Sequence, residues 1–221
     1  MRIISAILFV FICFGIVAGQ NEIAPIVEKT FDFKDWTYKN VDTGNDVNLR
    51  KFASGKKLTL VVYWAPWCPN WKYDAAYVQG LYDKYKDKGL DIIGVAEYDP
   101  VEKMIAFIRD YKLTFTNVYE SISTADREKT LHFSQRREAG DVRKWGSPWY
   151  VFLESSKLEP EGQIVLSKKT PIVNGELTRN DAEKFIRQRL GLETATSANV
   201  SSRSKEIEVC EPEKKTVSLK P

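Results

Sequence analysis

The segment Trp64-Ala65-Pro66-Trp67-Cys68-Pro69-Asn70-Trp71 sets one cysteine among three tryptophans and two prolines. It follows Lys57 to Trp64, a short apolar and β-branched run of the kind that forms a strand buried on both faces. It precedes a stretch to about Lys88 in which Ala75, Ala76, Val78, Leu81, Tyr82 and Tyr85 recur at spacings of three and four, with Gly89 as the stop. Pro69 suits the first helical position, which puts the Cys68 sulfur over the helix N-terminus. Unpaired N–H groups and the helix dipole favour an anion there, and a thiolate is the species that attacks disulfides. The alternative is a buried, inert cysteine, since cysteines are often buried. The position at the carboxyl end of a buried strand, where open α/β sheets place their sites, favours reactivity.

The elements around this segment follow from pattern. Residues 20–29 read as a short extended leader. Phe31 to Phe52 contains two strand-like runs around the turn Asp42-Thr43-Gly44-Asn45, a hairpin signal. Leu90 to Ala96 is a second buried strand, and Pro100 opens a helix with Met104, Ile105, Ile108 and Tyr111 on one face. Residues 118–146 are polar and ambiguous. Pro148 introduces the strand WYVFLE, and Pro160-Glu161-Gly162 turns into the strand QIVLSK. Asn180 to Leu190 reads as a last helix closed by Gly191. This order implies an α/β domain over residues 30–192, a mixed central sheet with helices on both faces.

The ends of the chain read differently. Arg2 followed by the apolar stretch Ile3 to Val17 and the small residues Ala18 and Gly19 fits a signal peptide over residues 1–19, an uncleaved anchor being the alternative. The run is short beside the ~20 residues of a membrane span. Cys13 has Phe11 and Ile12 before it rather than the small residues a lipid-attachment site wants. Residues 193–221 are poor in core-forming side chains and read as a disordered tail. Export would permit disulfides, yet only Cys68 and Cys210 survive removal of the signal, so no disulfide framework exists. A formal charge of +3 from 33 basic and 30 acidic side chains, without a basic run, gives no support to nucleic-acid or anionic-membrane binding.

The motif YWAPWCPNW, with the elements around it, resembles the exported thiol–disulfide oxidoreductases of TlpA/ResA type in the thioredoxin-like superfamily, where a strand ends in an aromatic and Trp-Ala-x-Trp-Cys-x-x-Cys follows. The resemblance runs from about Phe31 to Leu190. It includes the opening β-hairpin, KDKGLDIIGVA, the acidic residue and helix from Asp99 to Phe115, Gly146-Ser147-Pro148 and the closing hairpin with Gly162. It implies a thioredoxin-like fold without cofactor or metal. It also implies that Cys68 is the attacking cysteine and Trp67 the aromatic beside it. Pro148 is then a cis-proline which, with Ser147, presents backbone to an extended substrate. Asp99 falls near an acidic residue that assists proton transfer in such proteins; a helix-start carboxylate before Pro100 is the competing reading.

The departures narrow the chemistry. Trp71 stands where the family has its second cysteine, and Asn70 where it usually has proline. The second thiol normally resolves the mixed disulfide, so a self-contained dithiol cycle is ruled out unless another thiol helps. Two readings follow. One is a monothiol oxidoreductase acting on exported protein thiols or disulfides, or on low-molecular-weight thiols. The other is a binding module in which Trp64, Trp67, Trp71 and Trp149 form an aromatic surface around Cys68 and Pro148. The compartment would be periplasmic in a bacterium and secreted or lumenal in a eukaryote. Cys210, on a tail that reaches about 25 Å, is the one further thiol, but Glu208 and Glu211 beside it disfavour its thiolate. Peroxiredoxins place Thr or Ser three residues before the cysteine, where this chain has Ala65, so the hydroxyl that would orient peroxide is missing. Arg136, Arg137, Arg143 and Lys144 read either as a solvated face or as charges near the thiol. His132, the sole histidine, has no visible partner for a metal or hydrolase site. Asn199-Val200-Ser201 is a glycosylation sequon in a eukaryotic host.

Overall fold

The computed structural model describes residues 22–193. The segment read as a signal peptide, the segment read as a tail beyond residue 193, Cys13, Cys210 and the Asn199 sequon lie outside them. The segment read as a leader is extended, and it is also woven into the fold. Strand β1 (Ile23–Ala24) pairs with β12 (Glu176–Leu177), and β2 (Val27–Thr30) forms an edge of the main sheet beside β11 (Lys169–Val173). After β3 (Phe33–Lys34) comes the expected hairpin, β4 (Thr37–Asn40) and β5 (Asp46–Asn48), and then the short helix α1 (Leu49–Ala53), capped by the Asn48 side chain.

Strand β6 (Leu58–Trp64) is buried at every position, which is why it shows no polar alternation. Its partners are β7 (Leu90–Ala96) in parallel and β9 (Trp149–Glu154) antiparallel. The crossover between β6 and β7 is α2 (Pro69–Tyr85), followed by a 3₁₀ turn that ends at Gly89 in the left-handed region, φ +104°. Helix α3 (Val101–Asp110) connects β7 to β8 (Thr116–Tyr119), and α4 (Leu131–Glu138) lies in the segment whose sequence pattern is ambiguous. The main sheet has eight strands in the order β2-β11-β9-β6-β7-β8-β4-β5.

The closing hairpin differs from expectation. Ile164–Leu166 (β10) pairs with β3 in a small separate sheet, and β9 takes β11 as its antiparallel neighbour. Pro171 in the middle of β11 argues against a strand on sequence grounds. It is accommodated between β9 and the edge strand β2. Helix α5 (Arg179–Leu190) closes the described chain, and Gly191 at φ +73° supplies its left-handed cap.

Side chains of β6 alternate between two cores. Leu58, Leu60, Val62 and Trp64 pack with α2, α3 and α5, whereas Val61 and Tyr63 pack with β3, α1 and the region of α4. Cys68, Pro148 and the first turn of α2 thus stand at the carboxyl end of β6, between the two layers.

Candidate active site

Cys68 is the N-cap residue of α2, with Pro69 at the first helical position, as the sequence implies. The residue is only 6% exposed. Its Sγ lies 3.1 Å from the carbonyl oxygen of Ser147, to which the thiol donates. The Ser147 hydroxyl accepts from the backbone N–H of Ala65 at 3.0 Å, which ties the loop to the strand end on the other side of the sulfur. The Ser147–Pro148 peptide bond is cis, as the resemblance implies. The structure therefore brings Cys68 together with Ser147 and Pro148, which lie far from it in the chain.

Trp67 is half-buried beside Cys68, edge-on to Trp145 with ring centroids 5.1 Å apart, and its Nε1 donates to Tyr98 O at 3.5 Å. Trp71 is a correction. It is fully buried, with Trp64 stacked on it at 5.7 Å and Phe107 at 6.3 Å, so its indole supports the site from beneath and presents nothing to a substrate. The physical reason is helical spacing: Trp71 shares the inward face of α2 with Ala75 and Val78. Trp64 and Trp149 are buried as well. Among the tryptophans of the expected aromatic surface only Trp67 keeps partial exposure, with Trp145 joining it. Asp99 is half-buried; burial raises its carboxyl above the usual range, and Lys103 opposes the shift.

A different carboxyl lies deeper on the same side. Asp74, two turns into α2 from Cys68, is fully buried and accepts the Tyr150 hydroxyl at 2.7 Å and the Leu177 N–H at 2.8 Å on one oxygen. Its other oxygen has no partner among the described residues. Burial raises the proton affinity of this carboxyl, and the Leu177 and Tyr150 hydrogen bonds oppose it. Tyr150 in turn is held protonated, first by burial, then by Asp74, and, among smaller causes, by the charge a Cys68 thiolate would carry. The sequence offers a signal for Asp74: a lone acid in the apolar series Trp71, Ala75, Val78 of an otherwise amphipathic helix.

Of the basic residues in segment 131–148, Arg136 and Arg143 turn inward rather than toward the thiol, whereas Arg137 and Lys144 lie exposed on the solvated face. The Arg136 guanidinium is fully buried and donates to the carbonyls of Arg143 (2.7 Å) and Lys144 (3.1 Å). Arg143 pairs with Asp141 at 2.7 Å and donates to Pro148 O at 2.9 Å. Burial of a guanidinium costs least when its donors are used; here the two terminal nitrogens of Arg136 hold the proline loop, while its Nε has no partner among the described residues. Gly146, at φ +62°, is forced by this arrangement, because a Cβ there would sit 2.4 Å from Arg136 Cδ.

Among the described residues no cluster of three or more His, Cys, Asp or Glu side chains could hold a metal ion, and no helix is long and apolar enough to cross a membrane.

Residues 30–138 match the AhpC/TSA family. The thiol-disulfide oxidoreductase ResA of Oceanobacillus iheyensis is 30% identical over 186 residues, 83% of this chain and 84% of that protein. The chloroplastic peroxiredoxin Q of Triticum aestivum is 34% identical over 156 residues, 70% of this chain and 58% of that protein. Two solved structures share the fold. The thioredoxin domain of a Bacteroides vulgatus thiol-disulfide oxidoreductase superposes with a TM-score of 0.52 at 22% identity, over 74% of this chain and 99% of that one. A secreted thiol-disulfide isomerase from Corynebacterium glutamicum superposes with a TM-score of 0.54 at 15% identity, over 74% and 92%. With its cysteine on the helix cap and its cis-proline loop against the sulfur, the chain belongs to the thioredoxin-like redoxins of ResA type, carrying Cys-Pro-Asn-Trp in place of the two-cysteine motif.

Proposed function

We propose that the protein is an exported thiol–disulfide oxidoreductase of monothiol type, with Cys68 as the catalytic nucleophile. The observation that carries this reading is the place of Cys68 as the N-cap residue of α2 against the cis Ser147–Pro148 loop, with a tryptophan at position 71. The cap favours a sulfur anion. In the forward step the Cys68 thiolate attacks one sulfur of a partner disulfide, forming a mixed disulfide and releasing the partner's other sulfur as a thiolate. An external thiolate then attacks the partner sulfur of that mixed disulfide, and Cys68 leaves. Trp71 has no thiol to do this from within the motif. The reverse sequence oxidises a partner, and the chemistry is the same. Asp74 and Asp99, whose proton affinity burial raises, are the candidates to exchange the thiol proton, Asp74 being linked to Tyr150. Ser147, Pro148 and Trp67 would border the bound segment. The partners are thiols or disulfides of exported proteins, or low-molecular-weight thiols; the signal-like residues 1–19 support export.

The half-buried Trp67–Trp145 pair beside Cys68 favours a second reading, a binding module on the same fold. One experiment separates the two. The mature chain carrying Cys210→Ser is mixed with a peptide disulfide bearing a chromophoric thiol, and release of that thiol is followed with and without added glutathione. Stoichiometric release alone and repeated turnover with glutathione are expected, both lost in Cys68→Ser. A silent Cys68 together with peptide binding that survives Cys68→Ser would replace the enzyme by the binding module.

A further inference from the structure

The sole histidine is part of the apparatus around the sulfur, although it touches neither the thiol nor a metal. His132 is fully buried at the start of α4, its ring stacked on Tyr63 with centroids 4.6 Å apart and planes 6° from parallel. Its Nε2 lies 3.2 Å from the Gly146 carbonyl oxygen, and its Nδ1 lies 3.0 Å from the Tyr98 hydroxyl. A carbonyl can only accept, so Nε2 carries the proton and Nδ1 accepts from Tyr98. Burial first, then the positive charge of Arg136, keeps the ring neutral by lowering its proton affinity well below the usual value; a neutral ring satisfies both bonds, with the Glu97 carboxyl 3.8 Å from Nδ1.

Tyr98 is anchored in turn. Its backbone sits at φ +64°, a region that side-chain-bearing residues rarely adopt. Its N–H donates to Ser121 O at 2.9 Å, and its carbonyl accepts from Trp67 Nε1. The contacts close a ring around the site: Cys68 to Ser147, Gly146 to His132, His132 to Tyr98, Tyr98 to Trp67, and Trp67 back to Cys68 along the chain. The segment Gly146–Ser147 is the part of this ring that faces the sulfur.

We propose that His132, braced by Tyr98, is a positioning residue for Cys68: by fixing the Gly146 carbonyl it aims the next carbonyl, that of Ser147, at the thiol. The inference rests on Cys68 being the reacting group but not on which partner it attacks. A carbonyl oxygen aimed at sulfur favours the S–H form over the anion. The brace therefore sets where the thiol points and how closely the Ser147 carbonyl holds it, and a partner that displaces that carbonyl frees the sulfur at the moment of attack.

The test reads the thiol directly, in the mature chain with Cys210→Ser. Iodoacetamide alkylation of Cys68 is followed against pH, with the fold checked by near-ultraviolet circular dichroism. His132→Phe keeps the stacked ring and loses both hydrogen bonds. Its profile is expected to move to lower pH, with alkylation about threefold faster near neutrality, the scale of one neutral hydrogen bond. His132→Gln, whose amide can still donate to Gly146 O, should restore much of the original profile, and Tyr98→Phe should move it in the same direction by less. A folded His132→Phe that is alkylated along the wild-type profile would overturn the proposal. Should His132→Phe fail to fold, Tyr98→Phe decides: a shifted profile supports the brace and an unshifted one refutes it. Failure of the redox reading appears separately, as an alkylation profile that responds to His132 in a protein without turnover of disulfides.

Discussion

The two layers that meet at Cys68 treat buried polar groups in different ways. On the α2 side the sulfur rests on aromatic and aliphatic packing, Trp71 clustered with Trp64 and Phe107, with Asp74 as an acid whose one oxygen serves two donors and Glu176 buried beside it. On the α4 side the packing is itself polar. Glu97, Glu120, His132, Tyr98 and Tyr63 adjoin one another, and both oxygens of fully buried Glu97 lack a donor among the described residues. The first layer is a scaffold of packed rings in which two donors converge on one oxygen of Asp74. The second is a network in which protonation states do the fitting. The loop of Ser147 and Pro148 hangs between them, touching the first through Cys68 and the second through His132.

The largest effect should come from emptying the scaffold. Trp71→Ala removes a fully buried indole packed against two rings, and large-to-small changes of this kind cost about 3–5 kcal/mol. Urea unfolding of the mature chain should show that loss with an unchanged slope. A loss under about 1 kcal/mol would mean that the site can collapse around the gap, and the contrast between a rigid scaffold and an adaptable network would fail.

The next effect tests the hydrogen-bonded acid of that layer. Asp74→Ala leaves the Tyr150 hydroxyl and the Leu177 N–H buried without an acceptor, a loss of about 2–3 kcal/mol. Asp74→Asn keeps an acceptor oxygen and should recover most of it. Equal losses in the two variants would show that charge, and not hydrogen-bond acceptance, is what the layer requires of Asp74.

Legibility in the sequence follows the same division. The scaffold is readable because burial on both faces leaves a run such as LTLVVYW and because Pro69 and Gly89 punctuate the helix that follows it. Cys68, Ser147 and Pro148 are readable through motif and order. Trp71 reads wrongly as a substrate contact when motif position outweighs the inward helical face it shares with Ala75. Strand β11 is hidden because Pro171 breaks its pattern, and α4 is ambiguous because a helix with buried His132, Gln135 and Arg136 shows no apolar stripe. The brace through Tyr98 and His132 has no local signal at all. It depends on a carbonyl at Gly146 and a hydroxyl at Tyr98, both distant in the chain from His132, which only folding brings within 3.2 Å of its ring.

The smallest effect should have the opposite sign, and it would sharpen the comparison most. Burial first, then the neighbouring Glu120, raise the Glu97 carboxyl well above the usual carboxylate range, with Arg136 opposing. Glu120 is held in place by the N–H groups of Leu131 and His132, and Tyr38, Tyr63, Tyr98 and His132 face the pair from the other packed elements. A group that binds its proton more tightly when folded stabilises the fold below its unfolded value, about 4.3 for Glu, and that contribution is lost as pH rises toward the folded value. Glu97→Gln keeps the shape and a donor toward Glu120 without any proton to lose. The variant should match the wild type near pH 4 and be the more stable of the two near pH 8, because the wild type alone must hold or lose that proton. His132, whose proton affinity is lowered, destabilises both proteins as pH falls below about 6.5. Denaturant melts of the two proteins at these pH values decide the matter. A variant that is less stable at every pH would mean that the Glu97 carboxylate itself is needed, and the α4 layer would then resemble the Asp74 layer rather than oppose it.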